Sequence, residues 1–144
     1  MGRLSVVIPA YNEEKFIGAL IGRVIDVDLS ALGLEKEIIV VDDCSQDNTG
    51  SIAAAFQEVS VERLEVNSGK GAAVRRGIEC ASGSHIIIQD ADLEYDPSDY
   101  IIMLEALSAK GYDIVYGSRY KGRGRYPHQS WLAYLGGRSL SAIT

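Results

Sequence analysis

The stretch Glu37-Ile38-Ile39-Val40-Val41-Asp42-Asp43 decides the fold. Its apolar, mostly β-branched run leaves no polar face, so the strand it forms is covered on both sides, as parallel strands between helices are. The same grammar repeats in both directions. Leu4-Ser5-Val6-Val7-Ile8 is a strand ended by Pro9, Val61 to Val66 a weaker one, Ile86-Ile87-Ile88 another, and Asp113-Ile114-Val115-Tyr116-Gly117 a fifth. Between them lie helical stretches. Asn12 to Val27 carries Phe16, Leu20 and Val24 on one face, and Asp47 or Thr49 caps a helix reaching about Glu58. Gly71 to Ala81 is helical, and Pro97 stands where a helix begins, continued by Tyr100 to Lys110. Lys121 to Pro127 is rich in Gly and Arg and reads as a loop that closes as a lid, and a last helix starts at Ser130. Strands alternating with helices specify an α/β architecture, a Rossmann-like, mostly parallel sheet flanked by helices in an α/β/α arrangement. One domain over residues 1–144 is expected.

Composition removes other classes. The chain has 144 residues, 47% of them hydrophobic and 24% charged, which is neither disordered nor fibrous. No apolar run approaches the ~18 residues of a membrane-spanning helix. The first residues lead directly into a strand and do not read as a signal peptide. Cys44 and Cys80 are too few for a disulfide framework, and His85 and His128 too isolated for a zinc site. A net charge of −6 argues against nucleic acid as a partner. The charge is uneven, because Asp113 is the last acidic residue and Arg119, Lys121, Arg123, Arg125 and Arg138 follow it. That basic end is suited to meeting phosphates.

In open α/β sheets a ligand lies beyond the carboxyl ends of the strands. Here every such end is polar. Asp90 and Asp92 are the sharpest feature: at positions i and i+2 of an extended chain two carboxylates point the same way, about 6.6 Å apart. They can converge on a hard divalent cation, Mg²⁺ or Mn²⁺, with water and phosphate oxygens completing its shell. Of Asp42 and Asp43, one caps the following turn and the other offers a free carboxylate to the imino N–H of uracil or guanine. Neither the GxGxxG dinucleotide fingerprint nor the GxxxxGK[ST] phosphate loop is present. Gly69-Lys70-Gly71 at a helix start is a weaker phosphate signal. Arg119, just after the fifth strand, has the fork of donors that neutralises a leaving diphosphate.

Taken in order, Val6 to Glu14, Val41 to Ser45, Gly69-Lys70-Gly71, Gln89 to Pro97 and Tyr116 to Tyr120 resemble family-2 glycosyltransferases of the GT-A fold. The likeness is nearest to the dolichyl-phosphate mannose synthase and dolichyl-phosphate glucosyltransferase branch, with its prokaryotic polyprenyl-phosphate relatives. It implies metal-dependent transfer of a hexose from GDP-mannose or UDP-glucose to a polyprenyl phosphate at the cytoplasmic face of a membrane, with peripheral membrane contact and a homo-oligomer as further expectations. It implies that Pro9, Tyr11 and Glu13 contact the nucleotide, that Val41 and Asp43 hold the base, and that Asp90, Ala91 and Asp92 hold metal and diphosphate. Glu94 matches a further donor contact, and Lys70 and Arg119 reach the phosphates. Asp92 and Arg119 are then the candidate catalytic residues. The runner-up activities are transfer to a sugar hydroxyl in polysaccharide assembly and nucleotide binding without turnover. The family's catalytic domain continues past the helix that starts near Ser130, so part of the acceptor side is expected to lie beyond Thr144.

Overall fold

The computed structural model describes residues 2–117. The chain divides into two units, residues 1–101 and 102–144. The first carries the sheet. Strands β1 (Gly2–Ala10), β2 (Leu34–Asp42), β3 (Val59–Arg63) and β4 (His85–Ile88) alternate with helices α1 (Ile17–Asp26), α2 (Thr49–Ala54) and α3 (Lys70–Cys80), and α4 (Asp99–Lys110) begins as this unit ends. All strands are parallel, in the order β3-β2-β1-β4. The chain first builds outward from β1 through β2 to β3, then α3 returns it to β4 on the other side of β1. The order therefore reverses at β1, and the crevice beyond the carboxyl ends of β1 and β4 is where such sheets bind ligands.

The core follows from the sequence pattern. Leu4 to Ala10 and Ile38 to Asp43 are buried without a break, and Ile17, Leu20, Ile21 and Val24 of α1 are buried too. Helix α3 lies directly on the sheet at Gly77. A Cβ there would stand 2.2 Å from Val7 Cγ1 and 3.3 Å from Val41 Cγ2, so only glycine permits this approach. Lys36 fastens the end of α1 by donating to the carbonyls of Val24, Ile25 and Val27, orphan acceptors at a helix C-terminus. Opposite the ligand side, Glu37 gathers the Ser5 hydroxyl at 2.5 Å, the Ser82 amide at 2.9 Å and the Ser82 hydroxyl at 2.8 Å. This pins the lead-in of β4 to β1 and β2.

Four expectations need correction, the first being the third strand, which runs Val59–Arg63 and not Val61 to Val66. Asn12 to Phe16 are not helical: Asn12 takes a left-handed φ of 56°, which no helix accommodates, and side chains of the next loop hold the amides of residues 12–14 in that turn. The helix after Asp47 ends at Ala54 instead of about Glu58. Residues 113–117 form no strand; Ile114 and Tyr116 are exposed, and β-rich composition alone does not make one. Arg119, the loop from Lys121 and the helix from Ser130 lie outside the described residues. No described helix is long and apolar enough to cross a membrane.

Candidate donor-binding site

A cavity of about 200 Å³ opens at the strand ends where the order reverses. Pro9, Ala10, Tyr11 and Glu13 enter it from the end of β1, Asp43 from β2, Lys70 and Ala73 from α3, and Asp90, Ala91 and Asp92 from the segment after β4. Small-molecule sites run to ~300–1,000 Å³, so a cavity of this volume has room for one part of a larger ligand.

The loops are held by one another. The amides of Asn12, Glu13 and Glu14 donate to the Ser45 hydroxyl (3.0 Å), the Thr49 hydroxyl (2.8 Å) and the Asp47 carboxylate (3.1 Å). In return, Asn12 Oδ1 accepts from the Gln46 amide at 2.8 Å, and Glu14 accepts from both the backbone and side-chain nitrogens of Asn48. Polar side chains thus satisfy backbone donors that have no helical partner. Asn12, Cys44 and Leu93 all have positive φ (56°, 61° and 61°). One such residue follows the end of each of β1, β2 and β4, and strain of this kind collects where a site dictates backbone shape.

Neither aspartate after β2 is free. Asp42 is fully buried, takes the Ser45 amide at 2.9 Å and pairs with Arg63 at 3.0 Å. Asp43 accepts the amides of Ser68 and Gly69, both at 2.8 Å. The expected free acceptor is therefore a clamp on the loop that begins α3. Each carboxylate oxygen retains a second lone pair, and Asp43 still faces the cavity.

Asp90 and Asp92 both reach the cavity, but from a turn and not from extended chain. Asp92 Oδ1 accepts the Glu94 amide at 3.1 Å, and Asp90 Oδ1 meets Lys70 Nζ at 2.6 Å. Among the described residues no three His, Cys, Asp or Glu side chains converge as a complete metal cluster. The pair supplies hard oxygen donors, two carboxylates with coordination left for water and phosphate oxygens, which fits Mg²⁺ or Mn²⁺. Glu13 adds to the fit. Its carboxyl is pushed up by burial first, then by the charges of Asp92 and Asp47, so negative charge is crowded here and a cation would relieve it.

Two residues at the site escaped sequence reasoning. Gln89, almost fully buried, donates from Nε2 to the carbonyls of Asp90 (3.1 Å) and Tyr95 (3.4 Å), closing the acidic turn into a ring. Its Oε1 accepts the Tyr100 hydroxyl at 2.7 Å. Burial pushes the Tyr100 phenol far up, with Asp96 adding to the effect, which keeps it a donor. The available signal was a glutamine ending an otherwise apolar strand. Val41 does not line this cavity; its side chain packs with Ile39 and Ala73 in the core. Glu94 does not line the cavity either.

The profile of glycosyl transferase family 2 matches residues 5–138. The chain belongs to that family. This glycosyl transferase domain is 37% identical over 135 residues to a dolichol-phosphate mannosyltransferase of Pyrococcus furiosus, covering 92% of this chain and 37% of the relative. It is 34% identical over 148 residues to an undecaprenyl-phosphate 4-deoxy-4-formamido-L-arabinose transferase of Proteus mirabilis, covering 99% of this chain and 43% of that one. Among solved structures it resembles the mannosyltransferase PcManGT of Pyrobaculum calidifontis, in complex with GDP-Man and Mn²⁺, with a TM-score of 0.65 at 25% identity over 74% of this chain and 32% of that one. The fold is GT-A. The chain spans roughly two fifths of the length of the two curated relatives named.

Proposed function

We propose that this domain binds a nucleoside-diphosphate sugar and takes part in transferring its hexose to a polyprenyl phosphate. The observation that carries the reading is the convergence of Asp90, Asp92, Lys70, Asp43, Glu13 and Tyr11 on one cavity at the strand-order reversal. The polyprenyl-phosphate acceptor rests on the two named curated relatives and GDP-mannose on the mannosyltransferase neighbour; UDP-glucose rests on the sequence resemblance alone.

Asp90 and Asp92 are the residues that would hold Mg²⁺ or Mn²⁺. Bound there, the ion supplies Lewis-acid stabilisation of negative charge on the departing diphosphate. Lys70 places a cationic donor beside the same carboxylates, and Tyr11, half exposed at the rim, offers a face for a base or sugar to stack on. Asp43 and Gln89 fix the backbones that carry Lys70 and Asp90. Arg119 is assigned to the diphosphate on its sequence position, and the basic stretch after it to lipid phosphate on its charge, at about 1 kcal/mol per residue near an anionic surface. A phosphate monoester has a second pKa near 6, so the acceptor is already a nucleophile at neutral pH and requires no strong general base.

The test is transfer of labelled hexose from GDP-mannose or UDP-glucose into organic-extractable polyprenyl phosphate. Incorporation that requires Asp92 supports the proposal. Release of free hexose with no lipid product, under conditions where the donor binds, contradicts the acceptor assignment.

A further inference from the structure

We propose that Lys70 and the divalent cation compete for Asp90: the lysine is a displaceable internal counter-ion, and its release on metal binding frees it for the diphosphate. This inference rests on the reading of Asp90 and Asp92 as metal-holding residues. Lys70 Nζ lies 2.6 Å from Asp90 Oδ1, with the lysine side chain 61% exposed and the aspartate 22%. A pair whose cation is largely in solvent is screened and weak, so a divalent charge can displace it.

The root of the side chain is fixed, and its head, paired only with Asp90 among the described residues, is mostly exposed. Asp43 grips the Ser68 and Gly69 amides immediately before Lys70. Gly69 holds φ at +86° with open space around it, which sets the angle at which α3 starts. From that anchored Cα, a four-carbon stem carries a compact, freely rotating ammonium. Lys70 is also the one cationic side chain among the described residues that line the cavity, which it shares with Glu13, Asp43, Asp90 and Asp92. A single cation among those carboxylates cannot both neutralise Asp90 and follow a phosphate. Once a divalent ion takes Asp90, repulsion from that ion and attraction to the diphosphate move the ammonium the same way.

The competition predicts effects of opposite sign from one substitution. Lys70→Met keeps the stem and removes the charge. With Mn²⁺ alone, followed by the loss of its free-ion paramagnetic resonance signal, Lys70→Met is expected to bind roughly three- to tenfold tighter than the parent chain. At saturating Mn²⁺, its affinity for inorganic pyrophosphate is expected to fall about fivefold or more. Lys70→Gln runs the same comparison should the methionine variant fail to fold. Arg76→Met removes a cation that pairs with Glu62 and Glu79 and is expected to leave Mn²⁺ affinity unchanged. Unchanged or weaker Mn²⁺ binding by Lys70→Met, with Asp92→Asn still abolishing it, overturns the competition and leaves the metal reading intact. Equal tightening by Arg76→Met overturns it in favour of a general charge effect. Mn²⁺ binding that ignores Asp92 in the parent chain overturns both.

Discussion

Replacing Asp43 with asparagine separates two roles for this residue, clamp and base acceptor. The carboxylate is almost fully buried and accepts the Ser68 and Gly69 amides at 2.8 Å, one on each oxygen. Asparagine is nearly isosteric, but only one of its two terminal atoms accepts. The other presents N–H to an N–H. One charge-assisted bond is lost outright, worth about 1.5–3 kcal/mol, and the second becomes a neutral bond worth about 1 kcal/mol less. The sum, roughly 2–4 kcal/mol, corresponds to a fall in melting temperature of about 4–16 °C at the ~2–4 °C per kcal/mol typical of a domain near this size. Amide hydrogen exchange adds the local readout: Ser68 and Gly69 should lose protection, while the central strand amides of Val7 and Val40 change only as global stability does. The functional consequence follows through Lys70, which the clamp positions. Pyrophosphate binding should therefore weaken along with nucleoside binding. If Asp43→Asn melts within a degree of the parent, keeps Gly69 protected and weakens uridine or guanosine but not pyrophosphate, the clamp argument is wrong and direct base recognition takes its place.

Three further outcomes follow from the packing and the charges. Gly77→Ala forces a methyl to 2.2 Å from Val7 Cγ1; overpacking of about 1–3 kcal/mol exceeds the ~0.5–1 kcal/mol gained in helix propensity, so thermal denaturation should show a net loss. The Glu37 carboxyl is raised by burial, but the Ser5 and Ser82 hydrogen bonds, with Arg3 nearby, outweigh this and hold it below its ordinary 4.5. A depressed folded-state value means stability that is present above that pH and lost below it. The melting temperature should thus drop between pH 5 and 3, and less steeply in Glu37→Gln; parallel curves for the two proteins would remove Glu37 from the account. Tyr100→Phe leaves Gln89 Oε1 without its donor, at about 1–2 kcal/mol, and Mn²⁺ affinity should fall with it because Gln89 closes the acidic turn; a stability loss with unchanged affinity would make the contact purely structural.

Much of this was legible in the residues. The unbroken apolar runs of β1 and β2 require cover on both faces, so a parallel α/β sheet followed, and reading the strand ends brought Pro9, Tyr11, Glu13, Asp43, Lys70, Asp90, Ala91 and Asp92 to one place. What periodicity could not show was which backbone donors side chains would claim. Asn12 turns the chain through a left-handed φ and Ser45 and Thr49 hold the amides after β1, so α1 starts only at Ile17 although the composition of Asn12 to Phe16 suits a helix. Asp43 reads the same in sequence whether it faces a ligand or a backbone, and its partners at Ser68 and Gly69 are separated from it by β3. The pairing of Gln89 with Tyr100 was hidden for the same reason, since a buried polar pair is defined by contact even where the glutamine itself stands out at a strand end. Residues 113–117 show the converse: β-branched and aromatic residues favour a strand, but that composition alone does not make one.

The central claim is that Asp90 and Asp92 join a divalent cation to a diphosphate, and calorimetric titration of GDP and UDP tests it most directly. The account predicts that at least one nucleotide binds at least tenfold tighter with Mn²⁺ than with EDTA, and that Asp92→Asn removes this difference while melting within a few degrees of the parent, as an exposed turn carboxylate allows. Equal affinity of both nucleotides in Mn²⁺ and EDTA, or a Mn²⁺ effect that survives Asp92→Asn, would contradict it.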